Sequence, residues 1–409
     1  MDIQAIRQAF PMLKNPKLMQ GHPMIYFDNA ATTFKPQRVL DAMDDYYSNY
    51  TANTGRGDYD LEHVTDTKFA AARQSVADFI HAEPREVVFT SGASMSINLI
   101  AYGYGQKYLT EKDEILLTQA EHASNVLPWF KVREMTGCQI NFVPLDREGR
   151  LTPENLRKTI SKKTKIVAVA HVTNVMGYHL DIKSLASIAH EFGAIIIVDG
   201  AQSVPHLPTD VKDWDIDFLS FSGHKMCGPT GIGVVYGKYE LLEKTDPFMT
   251  GGGMSVKFDM CGDATYLKPP HKFEAGTQNI AGAIGLGEAI RFLNEIGMEN
   301  IASYERELRD YAIVKMKALP NLDIYNQTAE SGIITFNVKD VFAQDAATYL
   351  NSKGICVRSG QHCAKILIDY LGVVATLRFS LYFYNTKEEV DAFVEALKTG
   401  GNFLDAFFA

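Results

Sequence analysis

The stretch FLSFSGHKMCGPTGIGVVYG, residues 218–237, decides how the rest of the chain is interpreted. An apolar strand ends near Ser222, the residues Gly223, His224 and Lys225 follow, and a glycine-rich turn leads into a second apolar strand. Lys225 is either an ordinary solvated lysine or a partly desolvated one. Solvated lysines lie on exposed faces, whereas Lys225 stands among small and apolar residues. A partly desolvated lysine has a lowered pKa and can form a Schiff base.

Seven short β-rich runs alternate with helical stretches along this part of the chain. The runs are EVVFT, EILLTQ, INFVPL, KIVAVAHV, AIIIVDG, DFLSFSG and GIGVVYG. Several are apolar on both faces, which is typical of strands buried in a largely parallel sheet. The alternation predicts an α/β fold with a mostly parallel, seven-stranded sheet between layers of helices.

The pattern changes after about residue 282. Two long helical stretches, the β-type runs LDIYN and GIITFNV, and a final helix with a capping box from Thr386 to Glu389 follow. This order indicates a smaller α+β domain. We therefore expect a large domain over residues 20–282 and a small domain over residues 283–409, to which residues 1–19 are added.

Composition and charge exclude several classes of protein. The chain has 409 residues and a net charge of −9, which argues against a nucleic-acid partner, because phosphate backbones attract basic faces. Its five cysteines form no C-x-x-C pair, so we expect no metal site and no disulfide scaffold. The apolar runs are too short to span a membrane, and the N-terminus lacks a signal-peptide layout, so we expect a cytoplasmic protein.

Polar residues follow several predicted strands, where open parallel sheets bind their ligands. Ser94 lies in a Ser-Gly-Ala-Ser turn that starts a helix, and such a helix start suits a phosphate, although an ordinary serine cap is the alternative. Asp199 follows five apolar residues and is either a cap or the partner of a cationic ligand atom. Gln202 is close enough in sequence to reach the same ligand. His122 follows another strand, either as a structural hydrogen-bonding residue or lying flat on a ring.

These features together describe a binding site for pyridoxal 5′-phosphate (PLP). The serine turn, with Ser222 and His224, provides a place for the phosphate. Asp199 provides a carboxylate for a protonated ring nitrogen, and Lys225 provides the amine for a Schiff base.

A second motif, RSGQHCAK at residues 358–365, contains Cys363, which is a core residue, a metal ligand or a nucleophile. The metal interpretation lacks ligand spacing, and a core role fits Cys356 better, because Cys356 lies in the apolar run GICV. We therefore favour a nucleophile, with a neighbouring cation such as His362 lowering its pKa. Arg378, inside an apolar strand, is either a carboxylate clamp or part of an internal salt bridge.

With these motifs in place, the sequence resembles the class V, fold-type I PLP enzymes of the cysteine desulfurase type. The likeness is to the Suf/Csd-like group that overlaps the selenocysteine lyases, and it covers about residues 25–400. It rests on YFDNAATTFKP, SGASMSINLIA, EHASNVLPW, HVTNVMG, VDGAQSVPH, SFSGHKMCGPTGIGVVYG, GGGM, FEAGTQN, RSGQHCA and LRFSLYFYNTKEEVD.

The resemblance implies a role for each matching residue. Lys225 carries PLP, Asp199 pairs with its ring nitrogen, Gln202 bonds its ring hydroxyl, His122 stacks on the ring and helps to move protons, and Ser94, Ser222 and His224 hold its phosphate. Thr277 is expected to reach the phosphate of a second subunit, which implies a homodimer. Asn174, Arg378 and Arg56 bind the substrate, with Arg378 on its α-carboxylate, and Cys363 takes the sulfur.

The implied reaction converts L-cysteine into L-alanine and a Cys363 persulfide. A sulfur acceptor of the SufE or SufU type then feeds iron–sulfur cluster assembly or other sulfur transfer. The alternatives are a selenocysteine lyase acting on L-selenocysteine, or a class V aminotransferase-type enzyme without desulfuration. Two segments, residues 54–62 and 365–372, depart from the usual family pattern near the mouth of the site.

Overall fold

The structure is a computed structural model that describes residues 1–55 and 57–399. Its helices are α1 Ile3–Gln8, α2 Pro11–Lys14, α3 Gln37–Asn49, α4 Asp60–Phe79, α5 Ala93–Ile100, α6 Gln106–Tyr108, α7 Leu127–Thr136, α8 Pro153–Thr159, α9 Ile182–Glu191, α10 Tyr239–Lys244, α11 Ile280–Ile296, α12 Met298–Lys317, α13 Ala343–Ser352, α14 Lys365–Tyr370 and α15 Lys387–Thr399. No helix within the described ranges is long and apolar enough to cross a membrane.

The strands form one large sheet, one smaller sheet and several short pairs. They are β1 Leu18–Met19, β2 His22–Pro23, β3 Ile25–Tyr26, β4 Val87–Thr90, β5 Glu114–Thr118, β6 Gln139–Val143, β7 Thr164–Ala170, β8 Ile195–Asp199, β9 Phe218–Ser222, β10 Gly233–Gly237, β11 Ser255–Phe258, β12 Ala264–Tyr266, β13 Leu322–Ile324, β14 Ile333–Val338, β15 Ile355–Cys356, β16 Arg358–Gly360 and β17 Thr376–Ser380.

The large sheet has seven strands in the order β4-β10-β9-β8-β7-β5-β6. Strand β10 runs antiparallel to β4 and β9, while β9, β8, β7, β5 and β6 pair in parallel. Each of the seven runs that the sequence marked as a strand is a strand of this sheet. The prediction of a mostly parallel α/β sheet is therefore confirmed.

Both faces of the sheet are covered, and side chains along β8 alternate between two apolar cores. Ile196 and Val198 face one core, and Ile197 faces the other. This period of two, with both faces apolar, explains why the strand reads as a continuous hydrophobic run. The polar Asp199 comes at the last position of the strand, where the sheet meets the cavity described below.

The smaller sheet is antiparallel and has the order β13-β14-β17-β16. Helices α12, α13 and α15 pack against it around a separate apolar core. The predicted capping box of α15 is present: the Glu389 amide donates to Thr386 Oγ1, and Glu389 Oε2 accepts from the Thr386 amide. Helix α11 packs against α3 and α4. The domain division at residue 282 stays a prediction.

The buried side chain of Asn29 holds the loop after β3 against the end of β17 and the residues that follow it. Its Nδ2 donates to the Ser380 carbonyl at 2.8 Å and to Asn385 Oδ1 at 3.0 Å, and its Oδ1 accepts from the Tyr384 hydroxyl. The Ala30 amide donates to Ser380 Oγ. These bonds fix the loop against the end of β17, and the same loop forms one wall of the cavity.

Replacement of Asn29 by alanine should destabilise the protein by about 2–4 kcal/mol, because it leaves several buried polar groups without partners. The free energy of unfolding in urea measures this change. Asn49→Ala is the control, since Asn49 is exposed and its side chain, within the part of the chain that the structure describes, bonds only to Asp45. Equal effects of the two substitutions would show that the Asn29 network does not hold the loop.

Candidate active site

A cavity of about 270 Å³ lies beyond the carboxyl ends of the parallel strands and against the smaller sheet. Most of the residues predicted from the sequence line it together. These are Ser94, His122, Asn174, Asp199, Gln202, Ser222, His224, Lys225, Cys363 and Arg378. Residues that follow separate strands thus meet at the carboxyl end of the sheet, which is where open parallel sheets bind their ligands.

One end of the cavity is formed by the start of helix α5. Gly92 precedes the helix with φ 153°, and a Cβ atom there would lie 3.3 Å from Ser222 Oγ. Ser222 Oγ accepts from the Ala93 amide at 2.8 Å, and the hydroxyls of Ser94 and Ser124 lie 2.7 Å apart. Free amides and hydroxyls at the positive end of a helix dipole suit a phosphate group.

The turn that carries Lys225 is anchored by the carbonyl of His224. That oxygen accepts from the Thr33 amide, from Thr32 Oγ1 and from Lys35 Nζ, each at 3.0 Å. The imidazole of His224 stays neutral near pH 7, because burial, aided by the neighbouring charge of Lys225, lowers its pKa to about 4. The backbone before the reactive lysine is thus held independently of any ligand.

Lys225 Nζ makes no hydrogen bond or ion pair within residues 1–55 and 57–399. Burial lowers the pKa of its ammonium to about 8, and the nearby carboxylate of Asp199 partly opposes this effect. A substantial neutral fraction of the amine therefore exists slightly above neutral pH. An unpaired, partly deprotonated lysine that faces a cavity is suited to bond an aldehyde carbon.

Asp199 and Gln202 line another part of the cavity. Asp199 Oδ1 accepts from the Ala201 amide at 2.9 Å, so the carboxylate caps the next turn and also lines the cavity. Gln202 Nε2 donates to the Ala30 carbonyl at 2.7 Å. Gln202 Oε1 is buried without a partner in the described part of the chain. An orphaned acceptor beside a carboxylate and a lysine fits the hydroxyl and ring nitrogen of PLP.

His122 lies beside these groups and is held in one tautomer. Its Nδ1 accepts from the Ser124 amide at 3.1 Å, so the proton of the neutral ring is on Nε2. Burial lowers the pKa of the ring, which keeps it uncharged. The carboxylate of the neighbouring residue, Glu121, is buried and accepts hydrogen bonds from Thr118 Oγ1, Asn125 Nδ2 and the Ala170 amide. Burial raises the pKa of Glu121 to about 7.

Cys363 is exposed and lies in a turn with unusual backbone geometry. Both His362 and Cys363 have left-handed φ values, 52° and 56°, and the Ala364 amide donates to the Gln361 carbonyl at 2.8 Å. This conformation is uncommon for residues other than glycine. The Ala123 amide donates to the Cys363 carbonyl at 2.7 Å, which ties the turn to the loop that carries His122.

The expectation that His362 is a cation beside Cys363 is wrong. Its ring is buried and its Nε2 lies 3.1 Å from the Thr376 carbonyl and 3.0 Å from Thr376 Oγ1. Burial lowers the pKa of His362 to about 3, with a further contribution from Arg378. The basic groups that line the cavity with Cys363 are Lys225, Arg358 and Arg378 instead.

Arg378 is buried in β17 and bonded at two ends. Its Nη1 donates to the Asn174 carbonyl at 3.0 Å, and its Nη2 lies 3.4 Å from Asp28 Oδ1. The internal salt bridge considered from the sequence is therefore present. Its Nε is buried without a partner in the described ranges, so a donor remains for a ligand. The Asn174 side chain donates to the His362 carbonyl at 2.7 Å and so supports the cysteine turn.

One predicted site residue, Thr277, does not line this cavity. Thr277 is exposed and lines a separate groove of about 730 Å³, where its hydroxyl accepts from Asn53 Nδ2 at 3.3 Å. Arg56 lies outside the described residues, so its prediction is not examined by the structure. Of the atypical segments, residues 365–372 include helix α14, whose Leu367 packs in a small apolar cluster beside the cysteine turn.

Sequence reasoning missed three residues that line the cavity or contact its arginines. Ser124 lines it two residues after His122, and Arg358 lines it five residues before Cys363. Asp28 contacts both Arg358 and Arg378. All three stand inside motifs quoted above, so their position beside assigned residues was the one feature of the sequence that pointed to them. Nothing in the local sequence distinguished them from ordinary polar loop residues.

Comparison with known proteins agrees with this geometry. The family model described as aminotransferase class-V matches residues 25–393. The chain is 46% identical, over 97% of its length and 98% of the relative, to a probable cysteine desulfurase of Halalkalibacterium halodurans. It superimposes with a TM-score of 0.91 on the cysteine desulfurase of Thermococcus onnurineus NA1 (38% identical, 97% of each chain) and on CsdA of Escherichia coli (36%, 99% of each).

The lowered pKa of Lys225 predicts how cofactor-free protein captures PLP. Only the neutral amine attacks an aldehyde, so the capture rate should rise with pH and level off above a midpoint near 8. The growth of yellow absorbance at a series of pH values measures this rate. Lys225→Ala should develop no such absorbance, and N-acetyl-lysine should react with the higher midpoint of an ordinary lysine. A capture rate that follows this ordinary midpoint would contradict the assignment.

Proposed function

The chain belongs to the aminotransferase class-V family and is a PLP-dependent enzyme of the cysteine desulfurase type, and we propose that it moves the sulfur of L-cysteine onto Cys363. One observation carries the proposal. The exposed Cys363 and Lys225, whose amine has no partner among the described residues, line the same cavity, although they follow strands of different sheets. A PLP enzyme that only moves an amino group has no use for a thiol at this place.

PLP, when bound, supplies an electron sink next to the α-carbon of an amino acid. Lys225 would hold it covalently through its amine, and the carboxylate of Asp199 would pair with its ring nitrogen. Gln202 Oε1, which lacks another partner among the described residues, accepts from the ring hydroxyl. His122 would contact its ring, and Ser94, Ser222 and His224, which line the same cavity, would bind its phosphate.

The substrate is held by its carboxylate at Arg378. Arg378 Nε has no partner among residues 1–55 and 57–399, and the guanidinium is already fixed at its other two nitrogens, so little side-chain entropy is lost on binding. Asn174 supports both partners: its carbonyl holds Arg378, and its amide nitrogen holds the cysteine turn. The amine of Lys225, whose pKa burial lowers to about 8, would be the base that removes the α-proton of the substrate.

The sulfur-transfer step needs no external oxidant. The Cys363 thiolate attacks the substrate sulfur, a sulfur–sulfur bond forms, and the carbon–sulfur bond breaks with its electron pair on the β-carbon. Protons returned to the β-carbon and the α-carbon give L-alanine. Cysteine plus the enzyme thiol therefore yield alanine plus the Cys363 persulfide with all atoms and electrons balanced.

We further propose that the persulfide passes to an acceptor protein of the SufE or SufU type in the cytoplasm, for iron–sulfur cluster assembly or other sulfur transfer. Exposure of the Cys363 side chain supports transfer to a second protein, because the receiving thiol has to reach the outer sulfur. Helix α14 directly follows the cysteine turn, so the atypical residues 365–372 lie beside this exit.

We also propose a homodimer in which Thr277 completes the phosphate site of the other subunit. Thr277 and Asn53 are exposed and line a groove apart from the cavity of their own chain. A threonine hydroxyl in such a position has no substrate to contact within its own subunit. The role of Arg56 at the substrate is likewise part of this proposal.

Cys363→Ala should keep the yellow colour of bound PLP and lose sulfide release from L-cysteine almost completely, because the acceptor atom for sulfur is absent. Sulfide, alanine and the mass of the protein are measured together, with L-selenocysteine tested in parallel. Cys261→Ala is the matched control, since Cys261 is also exposed but lies on the β11–β12 hairpin. Only Cys363 should gain the mass of one sulfur atom. Full activity of Cys363→Ala would contradict the persulfide mechanism.

Mixed dimers test the role of Thr277. Thr277→Ala homodimers should release PLP faster than the native protein, as measured by the loss of yellow absorbance during dialysis. When Thr277→Ala and Lys225→Ala chains are combined, one site of each mixed dimer contains both native residues, so slow release should return there. Fast release at every site of the mixed dimer would mean that Thr277 does not serve the opposite subunit.

A further inference from the structure

We propose that Asp28 determines the charge of the substrates that the cavity accepts. Its carboxylate bridges Arg358 and Arg378 and neutralises one of their two charges, so that the cavity favours a substrate with a single negative group. This inference rests on the proposed function only through the assignment of the substrate carboxylate to Arg378.

The position of Asp28 is fixed by its backbone. Strand β3 pairs in parallel with β15, and the Phe27 amide donates to the Cys356 carbonyl at 2.9 Å. On the other side the Ser380 amide donates to the Phe27 carbonyl at 2.7 Å, and Asp28 forms a parallel bridge with Ser380. The carboxylate therefore projects from a segment that is held between two strands of the smaller domain.

The two arginines are direct neighbours across strands β16 and β17. Arg358 and Arg378 are opposite each other in the antiparallel register. Like charges at such a pair repel one another. Asp28 offsets the repulsion: Arg358 Nε lies 3.2 Å from both carboxylate oxygens, and Arg378 Nη2 lies 3.4 Å from Oδ1.

Asp28 also leaves a defined part of Arg378 available. With Nη1 on the Asn174 carbonyl and Nη2 near Asp28, the unpartnered Nε and its neighbouring edge remain for an incoming carboxylate. The side chain of Arg378 is almost completely buried, whereas Arg358 is about half exposed. The buried arginine is therefore the one for which a partner matters most.

Charge counting gives the specificity. Two arginines and one carboxylate sum to a single positive charge, which one substrate carboxylate neutralises. A second negative group near Arg358 meets a cation that is already paired, with Asp28 as an unfavourable neighbour. At separations of a few ångströms in a partly buried site, such a like charge lowers affinity at least about tenfold.

The test compares acetate with malonate, which carry one and two carboxylates and do not react with PLP. Native holoenzyme should bind malonate no more tightly than acetate. Asp28→Asn should bind malonate about tenfold more tightly than the native protein does, with a smaller gain for acetate. Inhibition of sulfide release gives one measure of affinity, and the ligand-dependent rise in the unfolding temperature of the holoenzyme gives a second that needs no turnover.

Two further variants keep the result interpretable. Asp28→Glu retains the charge and should keep the native ratio of malonate to acetate affinity. Asp217→Asn is the matched control, since Asp217 also bridges two basic groups, Lys238 and His190, but at the start of β9. Its ratio should equal the native one.

An unchanged ratio in Asp28→Asn, while acetate binding still depends on Arg378, would overturn this inference and leave the proposed function intact. Acetate binding that is unaffected by Arg378→Gln would overturn the inference together with the assignment of the substrate carboxylate to Arg378. A changed ratio in Asp217→Asn equal to that in Asp28→Asn would also overturn it, because any buried carboxylate would then have the same effect.

Discussion

The burial of the Lys225 amine is the constraint on which the chemistry of the site depends. An ammonium group taken from water needs a partner or loses its proton, and this one has no direct partner among the described residues. Its pKa therefore falls to about 8, which makes it reactive. The carbonyl of His224 accepts hydrogen bonds from four donors on Thr32, Thr33 and Lys35, so the turn stays in place although the amine is unpaired. Reactivity at Lys225 thus depends on bonds made by its neighbour.

Much of this arrangement could be predicted from local patterns. All seven strands of the large sheet coincide with β-rich runs of the sequence, and several of these runs are apolar on both faces. Lys225 and Asp199 come at the ends of two such runs, so parallel topology brings them together at the carboxyl end of the sheet. Asp28 could not be found in this way, because it contacts an arginine 350 residues away. His362 was misjudged for a related reason: its polar motif suggests exposure, whereas tertiary packing against Thr376 buries it.

The cysteine turn combines a fixed backbone with an accessible side chain. Left-handed conformations at two consecutive non-glycine residues persist only where the surroundings hold them. The surroundings here are specific: Asn174 bonds the carbonyl of His362, and the Ala123 amide bonds the carbonyl of Cys363. Both contacts come from loops that follow strands of the large sheet. These contacts hold the turn of Cys363 at the cavity that Lys225 also lines.

The carboxylates around the cavity reduce the repulsion between its basic groups. Lys225, Arg358 and Arg378 would repel one another if they stood alone. Asp199 offsets the charge of Lys225, and Asp28 offsets the charges of the two arginines. Burial raises the pKa of Glu121 to about 7, so this third carboxyl adds only part of a negative charge near neutral pH. The remaining positive charge lies beside Cys363 and the open donor of Arg378. The proposed reaction brings two anions to this place, a thiolate and a substrate carboxylate. The remaining positive charge attracts both of them.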